Sequence, residues 1–216
     1  MAEREGPVIA RSDTSLNILD SAKSLFATKG YEGTSTREIA EDAGLTVGAI
    51  YKYYPSKAAL LEEITTEAAT VLEPLLQGEL DEGKDDVLYR LTRRLVIFNL
   101  EYTRESKIAN EEYRSLPEPA LTTAINARRR IRRIFEQAIV DTVGAGEAID
   151  RALVTVLSAI IVGMAATPRD WWHPNQQFSL EQTAHIYASV AVQCVNLREL
   201  TPESLAAPLR GSGLPD

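Results

Sequence analysis

Residues 36–57 read TREIAEDAGLTVGAIYKYYPSK, and the order of small, branched and turn-forming side chains in this stretch decides the fold. Ala40, Gly44 and Ile50 fall at i, i+4 and i+10. That spacing suits two helices joined by a turn of three or four residues. It puts a small side chain where the helices cross, a glycine where the first one ends, and a branched side chain pointing back from the second into a shared core. Ile39 and Ala43 complete the inward face of the first helix, and Leu45 plugs the turn. Gly44 suits the left-handed conformation that commonly closes a helix. Thr46 is placed to cap the next helix by accepting from the amide of residue 48 or 49. Six positions agreeing in one register make a helix-turn-helix, a unit that lays its second helix in a DNA major groove.

Outward from this pair, helical periodicity dominates and strand signals are almost absent, so the expected fold class is all-α. A first helix over residues 14–29 carries Ile18, Leu19, Ala22, Leu25 and Phe26 on one stripe, with Asp13 as N-cap and Gly30 just past its end. Ser35 and Glu38 form a capping box for the second helix. The third is expected over residues 47–53 and is stopped by Tyr54-Pro55-Ser56, because proline is disfavoured inside a helix. Ser56 then caps a long fourth helix from Lys57 toward Leu76, followed by an acidic loop or frayed end over 78–86. A fifth helix over 87–104 places Leu88, Leu91, Leu95, Phe98 and Tyr102 on one face, and residues 107–119 are less regular. A basic helix over 120–143 buries Ile131, Ile134, Phe135, Ala138 and Ile139. Residues 148–166 are apolar nearly all round, so that helix is expected to be buried on several sides. A loop holding Trp171 and Trp172 follows, and Ser179 with Gln182 opens a last helix to about residue 197. The tail from Thr201 has three Pro and two Gly and is expected to fray.

Composition excludes several classes. The 216 residues are 44% hydrophobic and 25% charged, which is ordinary for a globular protein. No basic-then-apolar signal peptide opens the chain. The run 152–166 is shorter than the roughly 20 residues a bilayer needs, so no membrane partner is expected. The single Cys194 fits a reducing cytoplasm. Beside it, His173 and His185 leave no Cys/His zinc spacing, so neither metal nor cofactor is expected. No Gly-rich phosphate loop and no Ser-His-Asp constellation argues for an enzyme. The net charge of −8 opposes nucleic-acid binding at first sight. Its distribution does not: residues 1–60 carry seven Lys/Arg against eight Asp/Glu, and residues 44–57 hold two lysines and no acid. Local charge at the reading surface decides groove binding.

The N-terminal block resembles the TetR family of bacterial transcriptional repressors. The match is carried by Ile18-Leu19, Ala22, Leu25-Phe26, Gly30-Tyr31, residues 34–40 and 43–46, residues 48–54, Ser56-Lys57 and Leu60-Leu61. A small departure is Tyr54-Pro55, where Phe and a polar residue are more usual; the aromatic ring is still expected to pack on the first helix. The resemblance implies an all-α homodimer. A three-helix DNA-binding domain over residues 1–56 would lead into an effector-binding and dimerisation domain over 57–200 and a flexible tail over 201–216. Carried over position by position, Thr36, Arg37, Thr46, Val47, Gly48, Ala49, Tyr51, Lys52, Tyr53 and Lys57 fall where family members touch a double-stranded operator. On their chemistry, Tyr51, Tyr53 and Lys57 suit phosphates, and Arg37 and Lys52 have the reach for guanine O6/N7. Val47 and Ala49 suit a thymine methyl, and Gly48 lets the backbone come close. Lys57 also starts a helix, whose amides face an anion well.

The C-terminal part resembles a narrower group of regulators that sense acyl-CoA thioesters of fatty-acid and sterol catabolism, through residues 110–116, the 128–135 helix, Trp171-Trp172 and Ser179/Gln182. A small apolar effector is therefore expected, either an acyl-CoA or a drug or aromatic metabolite. Phe98, Tyr102, Tyr113, Phe135, Trp171 and Trp172 are the candidate ligand contacts. Five arginines within residues 128–133 form either a solvated face with Glu partners or a patch for ligand phosphates. The helices over 148–166 and 179–198 carry more apolar surface than a monomer needs. Ala159, Gly163, Ala166, Ala184, Ala188 and Ala191 are expected to let helices approach closely in a two-fold, four-helix dimer interface.

Overall fold

A computed structural model describes residues 12–143, 149–174 and 177–195. Among them are nine α-helices and no strand: α1 (Asp13–Lys29), α2 (Thr36–Asp42), α3 (Val47–Ile50), α4 (Lys57–Asp81), α5 (Val87–Glu101), α6 (Thr103–Glu111), α7 (Ala120–Val143), α8 (Arg151–Ala166) and α9 (Leu180–Val195). The backbone forms two compact units. One takes the chain up to Leu72 with Glu101–Arg128, and the other takes Glu73–Leu100 with the chain from Arg129 on. The expected tail over 201–216 and the last helix beyond residue 195 lie outside the described residues.

The first unit is built around α1. Ile18, Leu19, Ala22 and Phe26 of α1 are buried with Ile39, Ala40 and Ala43, with Ile50 and Tyr54, and with Leu60, Leu61 and Ile64 of α4. Ile108, Leu116 and Ala120 join the same core. Ser12, not Asp13, caps α1: its hydroxyl accepts from the Ser15 amide, and Asp13 instead supplies negative charge to the first turn. Tyr54 packs on α1 as expected, and its hydroxyl lies 2.9 Å from that of Ser15. The 87–104 helix is split. It ends at Glu101, Tyr102 leaves helical geometry, and α6 then occupies part of the stretch expected to be irregular.

In the second unit, Leu88, Leu91, Leu95 and Phe98 of α5 are buried, as are Phe135, Ala138 and Ile139 of α7. α8 is not buried on several sides. Val154, Leu157, Ile161 and Ala165 face inward, but Val156 is 53% and Ile160 50% exposed. Ala184, Ala188 and Ala191 are fully buried within the chain, so these alanines serve packing inside one protomer. The exposed large apolar residues of α9 are Ile186 and Val190. Gln182 and Ser179 cap α9 reciprocally, as the sequence implies. A 3-10 turn over Thr167–Asp170 continues α8, so Arg151–Asp170 makes a 20-residue run long and apolar enough to cross a membrane by length and composition, with 33% of its most apolar 18 residues buried. The run expected to be too short is thus lengthened by that turn.

Candidate nucleic-acid interface

α2 begins with a closed capping box. The Ser35 hydroxyl accepts from the Glu38 amide, and the Glu38 carboxylate accepts from the Ser35 amide at 2.8 Å. Lys29 adds a further donor to that carboxylate at 2.7 Å. The Lys29 bond first, and the Ser35 bonds after it, hold the Glu38 carboxyl down at about 2 against an ordinary 4.5. A depressed folded-state value stabilises the fold above about pH 4.5 and loses that effect as pH falls toward 2. The Tm gap between wild type and Glu38→Gln should therefore be open at about pH 6 and close by about pH 2. A gap that stays constant across thermal melts in this range contradicts the assignment.

The turn from α2 to α3 is a Schellman motif. Gly44 sits at φ 68°, its amide donates to Glu41 O, and the Leu45 amide donates to Ala40 O at 2.8 Å. Asn17 of α1 holds the same corner by donating to Ala43 O at 2.8 Å. Thr46 then caps α3 by accepting from the Ala49 amide at 3.3 Å. α3 is shorter than expected. Regular α-helix ends at Ile50, and residues 51–53 form a tight turn that brings Tyr54 back into the core. With Pro55 so close, the chain must turn before a second helical turn is complete.

The ten expected DNA contacts fall into three groups. Gly48, Tyr51, Lys52 and Tyr53 are exposed together on the outer side of α3 and its following turn, the tyrosines at 50% and 44%. Thr46 is exposed with them, and Ala49 is half-buried. Thr36 is half-buried, and its hydroxyl lies 3.5 Å from that of Tyr51, so the start of α2 and the end of α3 meet at the surface. Arg37 is exposed and paired with Glu41 at 2.9 Å; such a surface pair is weak enough to exchange for another anion. Val47 is half-buried and packs one side against the buried cluster. Lys57 is half-buried and bonded within the fold. Its ammonium donates to Tyr31 O at 2.8 Å and Thr34 O at 2.9 Å and lies 4.0 Å from the centre of the Tyr31 ring.

The six aromatic residues expected at an effector pocket separate. Tyr102 and Tyr113 belong to the first unit and the other four to the second. Phe98 and Phe135 are buried, Tyr102 and Trp171 are 38% and 43% exposed, and Trp172 is half-buried with its ring N–H donating to Phe178 O at 3.1 Å. The Tyr113 ring lies under the Arg128 guanidinium at 4.4 Å, and its hydroxyl accepts from Arg114 at 3.0 Å, which lowers the phenol pKa. An open groove of about 410 Å³ runs along α4 past Glu62, Glu63, Thr66 and Glu67, and none of the six lines it. Within 128–133, Arg130 makes a two-pronged pair with Glu73 at 2.8 and 3.1 Å, in keeping with a solvated face that has Glu partners.

An all-α chain that sets a short helix after a glycine-closed turn, with exposed polar side chains just beyond it, has the form of a helix-turn-helix DNA-binding protein. Residues 18–64 match the bacterial regulatory proteins of the tetR family, and residues 81–195 match the tetracyclin repressor-like C-terminal domain. The second match alone spans more than half of the chain, and the chain belongs to the TetR family of transcriptional regulators. It is 23% identical over 209 residues to the HTH-type transcriptional regulator AcrR of Shigella flexneri, covering 86% of this chain and 93% of that protein. The fold is shared with a tetR-family regulatory protein from Rhodococcus RHA1 (TM-score 0.75, 23% identity, 86% of this chain and 98% of that one). It is shared too with AibR, solved in complex with isovaleryl coenzyme A and operator DNA (TM-score 0.71, 21% identity, 82% and 97%). A third is the ketosteroid transcriptional regulator KstR2 of Mycobacterium tuberculosis (TM-score 0.76, 17% identity, 87% and 98%).

Proposed function

We propose that the chain is a cytoplasmic homodimeric repressor, with residues 1–56 reading DNA and 57–200 sensing an effector and dimerising. The observation that carries this reading is the exposed, acid-free surface of Thr46, Gly48, Tyr51, Lys52 and Tyr53 on α3 and the turn after it, fixed by a Schellman turn and a Thr cap. Gly48 supports it independently. A Cβ added there meets nothing within 4 Å, so the fold itself does not demand a glycine that costs a helix roughly 0.5–1 kcal/mol. A close-approaching phosphate backbone supplies a reason. Two such helices about 34–36 Å apart would read a near-palindromic operator.

The half-exposed Val156, Ile160, Ile186 and Val190 support a four-helix interface from α8 and α9 of each protomer. For the effector, the solved AibR complex with isovaleryl coenzyme A and the steroid designation of KstR2 favour an acyl-CoA or related lipid thioester. Binding that differs between the DNA-competent and DNA-released states by about 1–3 kcal/mol changes operator affinity roughly 5–150-fold. A native mass spectrum of the protein purified without added ligand tests this. A retained CoA thioester is the expected result; a retained cationic drug or aromatic metabolite would overturn the acyl-CoA assignment.

A further inference from the structure

The segment that leaves α1 and starts α2 is only six residues long, residues 30–35, and two other elements, α4 and the end of α6, reach it. Gly30 opens it at φ 77°, and Thr34 closes it by donating its hydroxyl to Gly30 O at 2.9 Å. Between them Tyr31 is buried, with its ring 5.3 Å from that of Phe26 in an edge-on contact. Its carbonyl is taken by Lys57 at the start of α4, and the same ammonium takes Thr34 O. The Tyr31 amide donates to the Glu112 carboxylate at 3.1 Å. Glu112 ends α6, 81 positions away in the chain. The approach is tight: a Cβ at position 30 would lie 3.2 Å from Glu112 Oε1. Lys107, on the same helix, donates to Ala27 O in the last turn of α1 at 2.9 Å. Glu112 is followed at once by Tyr113, which Arg128 of α7 covers.

We infer that Glu112 is a positioning residue for DNA binding, acting through the Tyr31 amide to fix the turn from which α2, and hence the reading surface, is launched. The inference rests on the DNA-binding reading above and deepens it. Glu112 and Lys57 hold Tyr31 at both of its backbone groups. The α2 cap at Ser35 follows one residue after Thr34, so a shift of this turn is passed directly to Thr36 and Tyr51. The end of α6 therefore has a polar connection to the reading surface that does not run through the length of α4.

The test uses the full-length protein and a duplex carrying its selected operator, with binding followed by anisotropy over a range of salt. Glu112→Ala should lower the affinity of the folded protein about tenfold and leave the slope of log K against log salt unchanged, because no phosphate contact is lost. Glu112→Gln keeps an acceptor for the amide and should bind within about twofold of wild type. Hydrogen exchange at the Tyr31 amide should rise in the Ala variant and not in the Gln variant. Wild-type affinity in Glu112→Ala would overturn the inference, as would an equal loss in Glu112→Gln or a drop of about one in the salt slope. Should Glu112→Ala fail to fold, Glu112→Asp, which keeps the charge but falls short of the amide, must show the affinity loss. Failure of the wild type itself to bind any duplex would instead remove the DNA-binding reading, and that is seen before any variant is made.

Discussion

Replacing Ile160 with Asp should convert the protein to a monomer and reduce operator affinity more than about 100-fold. Ile160 is half exposed in the protomer, beside Val156 on α8, with Ile186 and Val190 exposed on α9. Such a set of branched side chains is left uncovered within the chain and suits a self-complementary partner. In a two-fold interface each substitution appears twice. A buried, unpaired carboxylate costs several kcal/mol, so two of them consume most of the roughly 12 kcal/mol that holds a nanomolar dimer. The protomer should still fold, because Ile160 is absent from its buried set. Sedimentation equilibrium at micromolar concentration, with helicity measured in parallel, reads the outcome. A folded variant that remains dimeric contradicts the interface, and a monomer that keeps wild-type operator affinity contradicts the need for two reading heads.

Replacing Lys57 with Ala should have the next largest effect, through two separable routes. The ammonium satisfies two carbonyls in the α1–α2 turn, so its loss leaves acceptors without a donor and should cost about 1–3 kcal/mol of stability. An ammonium has three donors, and we expect the third to meet a phosphate. Affinity should fall about 10- to 100-fold and the salt slope should become shallower by about one. The slope is what separates the routes. A lower Tm with an unchanged slope makes Lys57 purely a brace for the turn and removes it from the phosphate contacts.

Much of the fold is legible in the sequence wherever a rule acts locally. Ser35 with Glu38 and Ser179 with Gln182 each form the reciprocal cap that their three-residue spacing implies, and Gly44 takes the left-handed conformation its position demands. The misses arise where tertiary contacts override local pattern. Asp13 and Ser12 are both good caps, and the choice between them shifts the first turn by a single residue. α3 stops at Ile50 because Tyr54 must return to α1, a demand made by a residue 39 positions away. Ala184, Ala188 and Ala191 look suited to close approach of helices, but composition does not say whether the neighbouring helix belongs to the same chain. For the proposed reading surface, residue types single out Tyr51, Lys52 and Tyr53 as exposed, since long polar side chains outside the core pattern have few other places to go. The inward turn of Lys57 and the grip of Glu112 on Tyr31 are invisible to any window of sequence, because their partners are 23 to 81 residues distant.

Selection of fragments from the source genome on the immobilised dimer, followed by footprinting of those retained, tests the central claim most directly. The account predicts retained fragments protected over two half-sites whose centres lie about 34–36 Å apart, with affinity falling steeply as salt rises. Retention of no fragment, even in dilute salt, would contradict it.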